Sequence, residues 1–299
     1  MNPELPSSPP LYPPLVEAEE LRIDVGGAVA LERASFVARG RSLVVAGDST
    51  ALMSALAGVE PVRAGTLRLL GRDVAKGEHL PLVGLAPLDP VLPPKWTALE
   101  YLSWSARLAG SPKSAAAALA QQTLALLDLP SLAKTKLEAL GLAERRVVVL
   151  AQAVVARPEV LVAAMPLAGL SGAPAEYVLR AIERATRDRC SVISVARTDA
   201  SSPEHVLIER ADEVLVFASG RLVRTGKPES LPRARLYFLT VRHNAEALRD
   251  RLALRGLALG GGPVRHFVEL AREEDLDELF AASLEAQAPI VQLVPQDRC

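Results

Sequence analysis

Three short apolar runs constrain this chain more than any other feature: SLVVA at 42–46, VLVAA at 160–164 and SVISVA at 191–196. They are too short for helices and rich in β-branched residues, and they lack the in–out alternation of a half-exposed strand. Such runs read as strands buried on both faces, the kind found in parallel sheets with helices on either side. Segments of helical character stand between them, at 50–57, 100–108, 114–127, 144–156 and 175–187. The expected class is therefore α/β with a mostly parallel sheet.

Local signals fill in the frame. Residues 16–25, 35–38 and 66–70 read as strands, with Gly26-Gly27 as a turn. Gly58 is placed to close the first helix, and Arg157-Pro158 to end the fourth. Residues 213–218 and 221–225 form a hairpin around Ser219-Gly220. The pattern changes after Leu231-Pro232-Arg233, which reads as a linker. Residues 236–295 then follow the order βαββαβ, a ferredoxin-like layout, with Asn244 placed to cap its first helix. The expected organisation is a disordered Pro-rich leader at 1–14, a main unit at 15–231 and a small C-terminal α/β domain at 236–295.

Composition removes several functions. A net charge of −1 provides no global field toward nucleic acid, and 4% aromatic residues leave little for base stacking. The longest apolar run, 147–156, is broken by Gln152 and is half the length of a membrane span. Two cysteines, Cys190 and Cys299, make no disulfide framework and fit a reducing cytoplasm. The four histidines at 79, 205, 243 and 266 show no metal-ligand spacing. No metal is expected.

Four segments, in order, resemble the ATP-binding subunits of ABC transporters. AGDSTALMSALAGVEPVRAGTLRLLGRDV is similar to the phosphate loop, first helix and following hairpin of that family. VGLAPLDPVLPPKWTALEYL is similar to its Q-loop and the start of its helical subdomain, here about 88–143. AQAVVARPEVLVAAMPLAGLS is similar to the helix after the signature, the Walker B strand and the D-loop. ADEVLVFASGRLVRTGKPESL is similar to its closing strands. The C-terminal domain resembles the tail of export-type subunits. The resemblance implies a P-loop NTPase-like ABC ATPase domain and, in the family, ATP and Mg as cofactors.

The chemistry-bearing residues of that family are not at the matching positions. Phosphate is held by G-x-x-x-x-G-K-[ST], where glycines turn backbone N–H groups inward and Lys and the hydroxyl serve phosphate and Mg²⁺. Gly47 matches the first glycine and Ser49-Thr50 the last pair, with only Asp48 between and no lysine. Asp48 or Ser49 is expected to cap the following helix instead. The Walker B Asp-Glu positions hold Ala164 and Met165, and Met165 reads as a core filler. Leu88 stands at the Q-loop glutamine, Arg197 at the switch histidine and Ser171 at the D-loop aspartate. The signature is matched by Leu140-Gly141-Leu142-Ala143-Glu144, so Gly141, Leu142 and Ala143 replace its serine and glycine pair.

The expectation is a non-hydrolysing subunit, cytoplasmic and peripheral to the membrane, with no catalytic residue and no bound cofactor. Its expected partner is a membrane permease, a second ATP-binding subunit or another copy of itself, and not nucleic acid. In the family, residues matching 88–127 face the transporter. Trp96, Tyr101 and Trp104 lie there, and either interface or subdomain core suits them. Two other readings stand beside this one: an active exporter subunit with unusual motifs, and a soluble scaffold that has left transport.

Overall fold

The computed structural model describes residues 13–196, 198, 202–230, 235–262, 265–270 and 274–295. The leader at 1–14 and the linker at 231–233 fall almost wholly outside them, as does Cys299.

The three apolar runs are parallel strands of one six-stranded sheet. They are β3 (Ser42–Gly47), β7 (Val160–Ala163) and β8 (Cys190–Val195). With β6 (Val83–Ala86), β9 (Glu213–Ala218) and β10 (Arg221–Gly226) they take the order β10-β9-β3-β8-β7-β6. β3 lies inside the sheet, flanked by β9 and β8 in parallel register, with Val44 opposite both Val214 and Ile193. β7 is not next to β3, because β8 lies between them. The edge strand β6 escaped the sequence reading because only four residues carry it, one of them glycine. That glycine is required by packing: a Cβ at Gly84 would overlap the Ala153 carbonyl oxygen.

A second sheet, all antiparallel, has the order β2-β1-β4-β5. It contains β1 (Val16–Val25), β2 (Ala28–Ala38), β4 (Val62–Leu69) and β5 (Arg72–Asp73). β2 starts directly after the Gly26-Gly27 turn, well before the expected 35–38 segment. Its first half is mostly exposed and offers little apolar alternation to read. The two sheets meet through one core that includes Leu21, Phe36, Leu52, Val162 and Phe217. Phe36 and Phe217 pack edge to face, centroids 6.3 Å apart.

Helices α1 (Thr50–Leu56), α2 (Ala98–Leu108), α3 (Lys113–Leu126), α4 (Leu142–Val154), α5 (Gly172–Thr186) and α6 (His205–Glu209) complete this part. α2 begins two residues before the expected 100. Thr97 and Glu100 form a capping box: the Thr97 hydroxyl accepts from the Glu100 amide at 3.2 Å, and the Glu100 carboxylate accepts from the Thr97 amide at 2.7 Å. α3 buries Ala116, Ala120, Thr123 and Leu124, which share one face at helical spacing. Among the described residues no helix is long and apolar enough to cross a membrane.

The C-terminal segment forms a third sheet with its own core around Leu239, Leu248, Val268 and Leu279. Its elements are β11 (Arg235–Val241), α7 (Ala245–Ala253), β12 (Leu259–Gly261), β13 (His266–Leu270), α8 (Glu274–Glu285) and β14 (Ile290–Pro295). The order β12-β13-β11-β14, antiparallel throughout, is the split-βαβ arrangement. Asn244 occupies the N-cap position of α7 but does not cap it. Its backbone is left-handed (φ 59°), and its amide donates to the Gln287 carbonyl at 3.1 Å, tying α7 to the turn before β14.

Candidate functional site: the carboxyl edge of the parallel sheet

Parallel strands end on one edge, and ligands of open α/β sheets bind outside the carboxyl ends. The singled-out positions gather there. Gly47 ends β3 and Asp48–Thr50 follow it, Leu88 follows β6, and Ala164 and Met165 follow β7. Arg197 itself lies outside the described residues.

The turn after β3 is short and closed on itself. Gly47 takes a left-handed φ of 77°, as an abrupt reversal requires. The Asp48 amide donates to the Phe217 carbonyl at 3.1 Å, and the Ser49 amide donates to the Gly47 carbonyl at 2.6 Å. Both donors therefore point at the protein's own acceptors. The expected cap is not made: Ser49 is at the N-cap position of α1, but its hydroxyl makes no capping bond and is buried without a partner. The helical backbone at Ser49 (φ −81°, ψ −14°) accounts for this, since a capping hydroxyl needs extended geometry to reach back to the first turn. The Asp48 side chain is exposed, and it is the charge presented at this turn.

The turn after β7 is also held by internal bonds. The Ala164 amide donates to the Ala86 carbonyl at 2.9 Å, and the Met165 amide donates to the Ser194 hydroxyl at 3.0 Å. Met165 is only half-buried, at a φ of 43°, so it is not the core filler the sequence suggested. The tight turn into Pro166 takes its side chain out of the core.

The signature-like segment opens α4. Gly141 is its N-cap residue, and the Gly141 amide donates to the Glu144 carboxylate at 2.8 Å. This places a carboxylate at the electropositive end of the helix, the place an anion would otherwise occupy. Leu140 is buried, Leu142 exposed and Ala143 half-buried. A cavity of about 340 Å³ lies between this segment and the Q-loop-like stretch, walled by Leu88, Val91, Leu142, Arg145 and Arg146. No sequence signal joined Leu88 to Leu142. Arg146 is almost fully buried, its Nε has no partner, and burial pulls its guanidinium below its ordinary value, partly offset by Asp89. Trp96 and Trp104 meet edge to face at 5.7 Å and are 37% and 43% exposed, whereas Tyr101 is core. Among the described residues no three His, Cys, Asp or Glu side chains converge as a metal site would require.

His79 lies away from this edge, at the far end of α1. It is fully buried, and its Nε2 is 3.1 Å from the Leu56 carbonyl at the end of α1, so it donates there as a neutral imidazole. Burial holds its pKa below the ordinary histidine value. The unfolded chain, titrating near 6.5, then binds protons that the folded chain refuses, so stability falls as pH drops below about 6.5. The loss is at most about 1.4 kcal/mol per pH unit for this group. Urea unfolding of the wild type and of His79→Gln between pH 7.5 and 5 is expected to show a steeper acid loss in the wild type. Equal slopes would mean that His79 is not the titrating group.

Comparison with known proteins gives the same fold. No protein-family model matches the chain. The Fe(3+) ions import ATP-binding protein FbpC of Streptomyces coelicolor is 29% identical over 223 residues, 72% of this chain and 63% of that protein. The sn-glycerol-3-phosphate import ATP-binding protein UgpC of Chromohalobacter salexigens is 28% identical over 200 residues, 65% of this chain and 53% of that protein. The taurine import ATP-binding protein TauB of Pseudomonas aeruginosa is 28% identical over 199 residues, 64% and 70% respectively. The chain thus spans less than two thirds of the length of the first two. All three names are of import systems, so the export-type comparison made for the C-terminal tail finds no support in them. Among solved structures, a nucleotide-free ATP-binding cassette from an ABC transporter matches with a TM-score of 0.60 at 18% identity, covering 72% of this chain and 91% of that one. The ADP conformation of another cassette matches at 0.59 and 17%, covering 72% and 91%. The fold is that of an ATP-binding cassette, and in sequence the chain is similar to the ATP-binding proteins of ABC import systems.

Proposed function

We propose that this chain is a non-hydrolysing cassette subunit, cytoplasmic and peripheral to the membrane, that docks on a permease as a structural or regulatory partner. The observation that carries this reading is the closed turn after β3. Phosphate binding needs backbone N–H groups free to converge on an anion. Here the amides of Asp48 and Ser49 are already engaged, and the exposed charge is a carboxylate. The carboxylate on the α4 N-terminus repeats the pattern at the segment that, in the family, serves the partner's nucleotide. Relatives named for import favour an import system over an export one. The domain division at 15–231 and 236–295 and the absent roles of Gly47, Asp48, Ser49, Thr50, Leu88, Ala164, Met165, Gly141, Leu142, Ala143 and Arg197 belong to this same proposal.

The 340 Å³ cavity is the proposed docking point, because Val91 (99% exposed) and Leu142 stand open on a mostly apolar lining. Affinity purification of the tagged protein from detergent-solubilised membranes of its own cells is expected to recover a multi-span permease. Paired Val91→Asp and Leu142→Asp substitutions should cut that recovery at least tenfold, because an unpaired buried charge costs about 3–5 kcal/mol. Recovery wholly in the soluble fraction, or an unchanged permease yield in the double variant, would remove transporter docking from the account.

A further inference from the structure

A second cavity, of about 390 Å³, is at the opposite end of the parallel sheet from the turns discussed above. It lies under the amino ends of β3 and β8, against the last turns of α5 and against α6. Its walls are Val44, Ile182, Ile193 and Leu207, all buried. Its polar part is mostly guanidinium, with three hydroxyls and one carboxylate, Glu183. Arg41 precedes β3, and Arg187 and Arg189 occupy the turn from α5 into β8. Arg210, also in the lining, is held 3.8 Å from Glu183.

Arg189 is the unexplained group. Its Nε and Nη1 are buried and have no hydrogen-bond partner. Burial pushes its guanidinium below its ordinary value, with Asp188 nearby opposing the shift. Buried donors of this kind are nearly always satisfied, and a charged one left unpaired is costly. A water molecule would satisfy a donor without balancing the charge. Among the described residues neither Arg41 nor Arg187 forms an ion pair, so the cavity carries an uncompensated positive charge beside an apolar wall.

We propose that this cavity binds an organic phosphate monoester, with the half-buried Arg189 as the anchor, Arg187 and Arg41 at the rim, and the apolar wall receiving the organic group. A phosphate dianion is preferred to a carboxylate because three guanidinium groups, two from the turn into β8 and one before β3, need several acceptor oxygens and more than one negative charge. The cavity is of the size usual for small-molecule sites. It is independent of the reading of the carboxyl edge, since none of its walls comes from those turns.

Calorimetry on the full chain, with phenyl phosphate, inorganic phosphate and benzoate as probes, tests this. Phenyl phosphate is expected to bind at least about tenfold more tightly than either of the others. Arg189→Met and Arg187→Gln should each weaken phenyl phosphate at least about tenfold. Arg187 is exposed, so its variant reports on binding even if the buried substitution disturbs folding. Without probe, Arg189→Met should melt at a higher temperature than the wild type, because two buried donors without partners are gone. The proposal is overturned if phenyl phosphate gives no heat at about 10 mM, a concentration far above the range of specific sites. It is also overturned if benzoate or inorganic phosphate binds as tightly, or if both variants bind like the wild type.

Discussion

Titration of the protein with Mg-ATP is expected to release no measurable heat at millimolar nucleotide, and its phosphate release should equal that of buffer. A charge-assisted contact contributes about 1.5–3 kcal/mol. In the proposed reading the lysine, the Mg²⁺-orienting carboxylate and a set of convergent amides are absent from the carboxyl edge. Even with partial additivity the loss is several kcal/mol, and each ~1.4 kcal/mol is a factor of ten in affinity. The exposed Asp48 carboxylate adds repulsion to this loss. Running the titration on Arg189→Met as well keeps any heat from the amino-end cavity apart from heat at the nucleotide edge. A micromolar dissociation constant that survives in that variant would overturn the non-hydrolysing reading and favour an active subunit with unusual motifs.

Phe217→Ala is expected to destabilise the fold by about 3–5 kcal/mol, the usual cost of removing a buried phenyl ring. The ring is fully buried, touches Phe36 edge to face and belongs to the core shared by the two sheets. The carbonyl of the same residue accepts the Asp48 amide, so its displacement also loosens the turn after β3. For a unit of roughly 200 residues each kcal/mol moves the melting temperature by about 2–4 °C, so a drop of roughly 10 °C is expected by calorimetry. Phe280→Ala is the control. That ring is 48% exposed on α8 and its loss should be small. If the two substitutions cost the same, Phe217 does not couple the sheets as described.

Much of the fold was legible because burial writes itself into composition. β3, β7 and β8 are apolar at nearly every position, and only a strand covered on both faces tolerates that. The βαββαβ order after 231 was legible for a related reason: its strands and helices have different periods. The likeness to ABC ATP-binding subunits was legible from the order of four segments. These are one-dimensional facts, and the chain alone determines them.

The tertiary structure decided what depends on partners distant in sequence. β6 and the first half of β2 carry weak patterns of their own, and pairing with β7 and β1 makes them strands. The place of β8 between β3 and β7 is a matter of topology, to which strand composition is blind. Ser49, Met165 and Asn244 each had a sensible local role in sequence, as cap, core and cap. Each lost it to backbone geometry: a helical φ,ψ at Ser49 and left-handed φ at the other two. The closing of the turn after β3 rests on a carbonyl 169 positions away in the chain, and no local pattern encodes that bond. The arginine cavity is the extreme case. Arg41, Arg187 and Arg189 are unremarkable surface residues in sequence, and only the parallel pairing of β3 with β8 brings them to one end of the sheet.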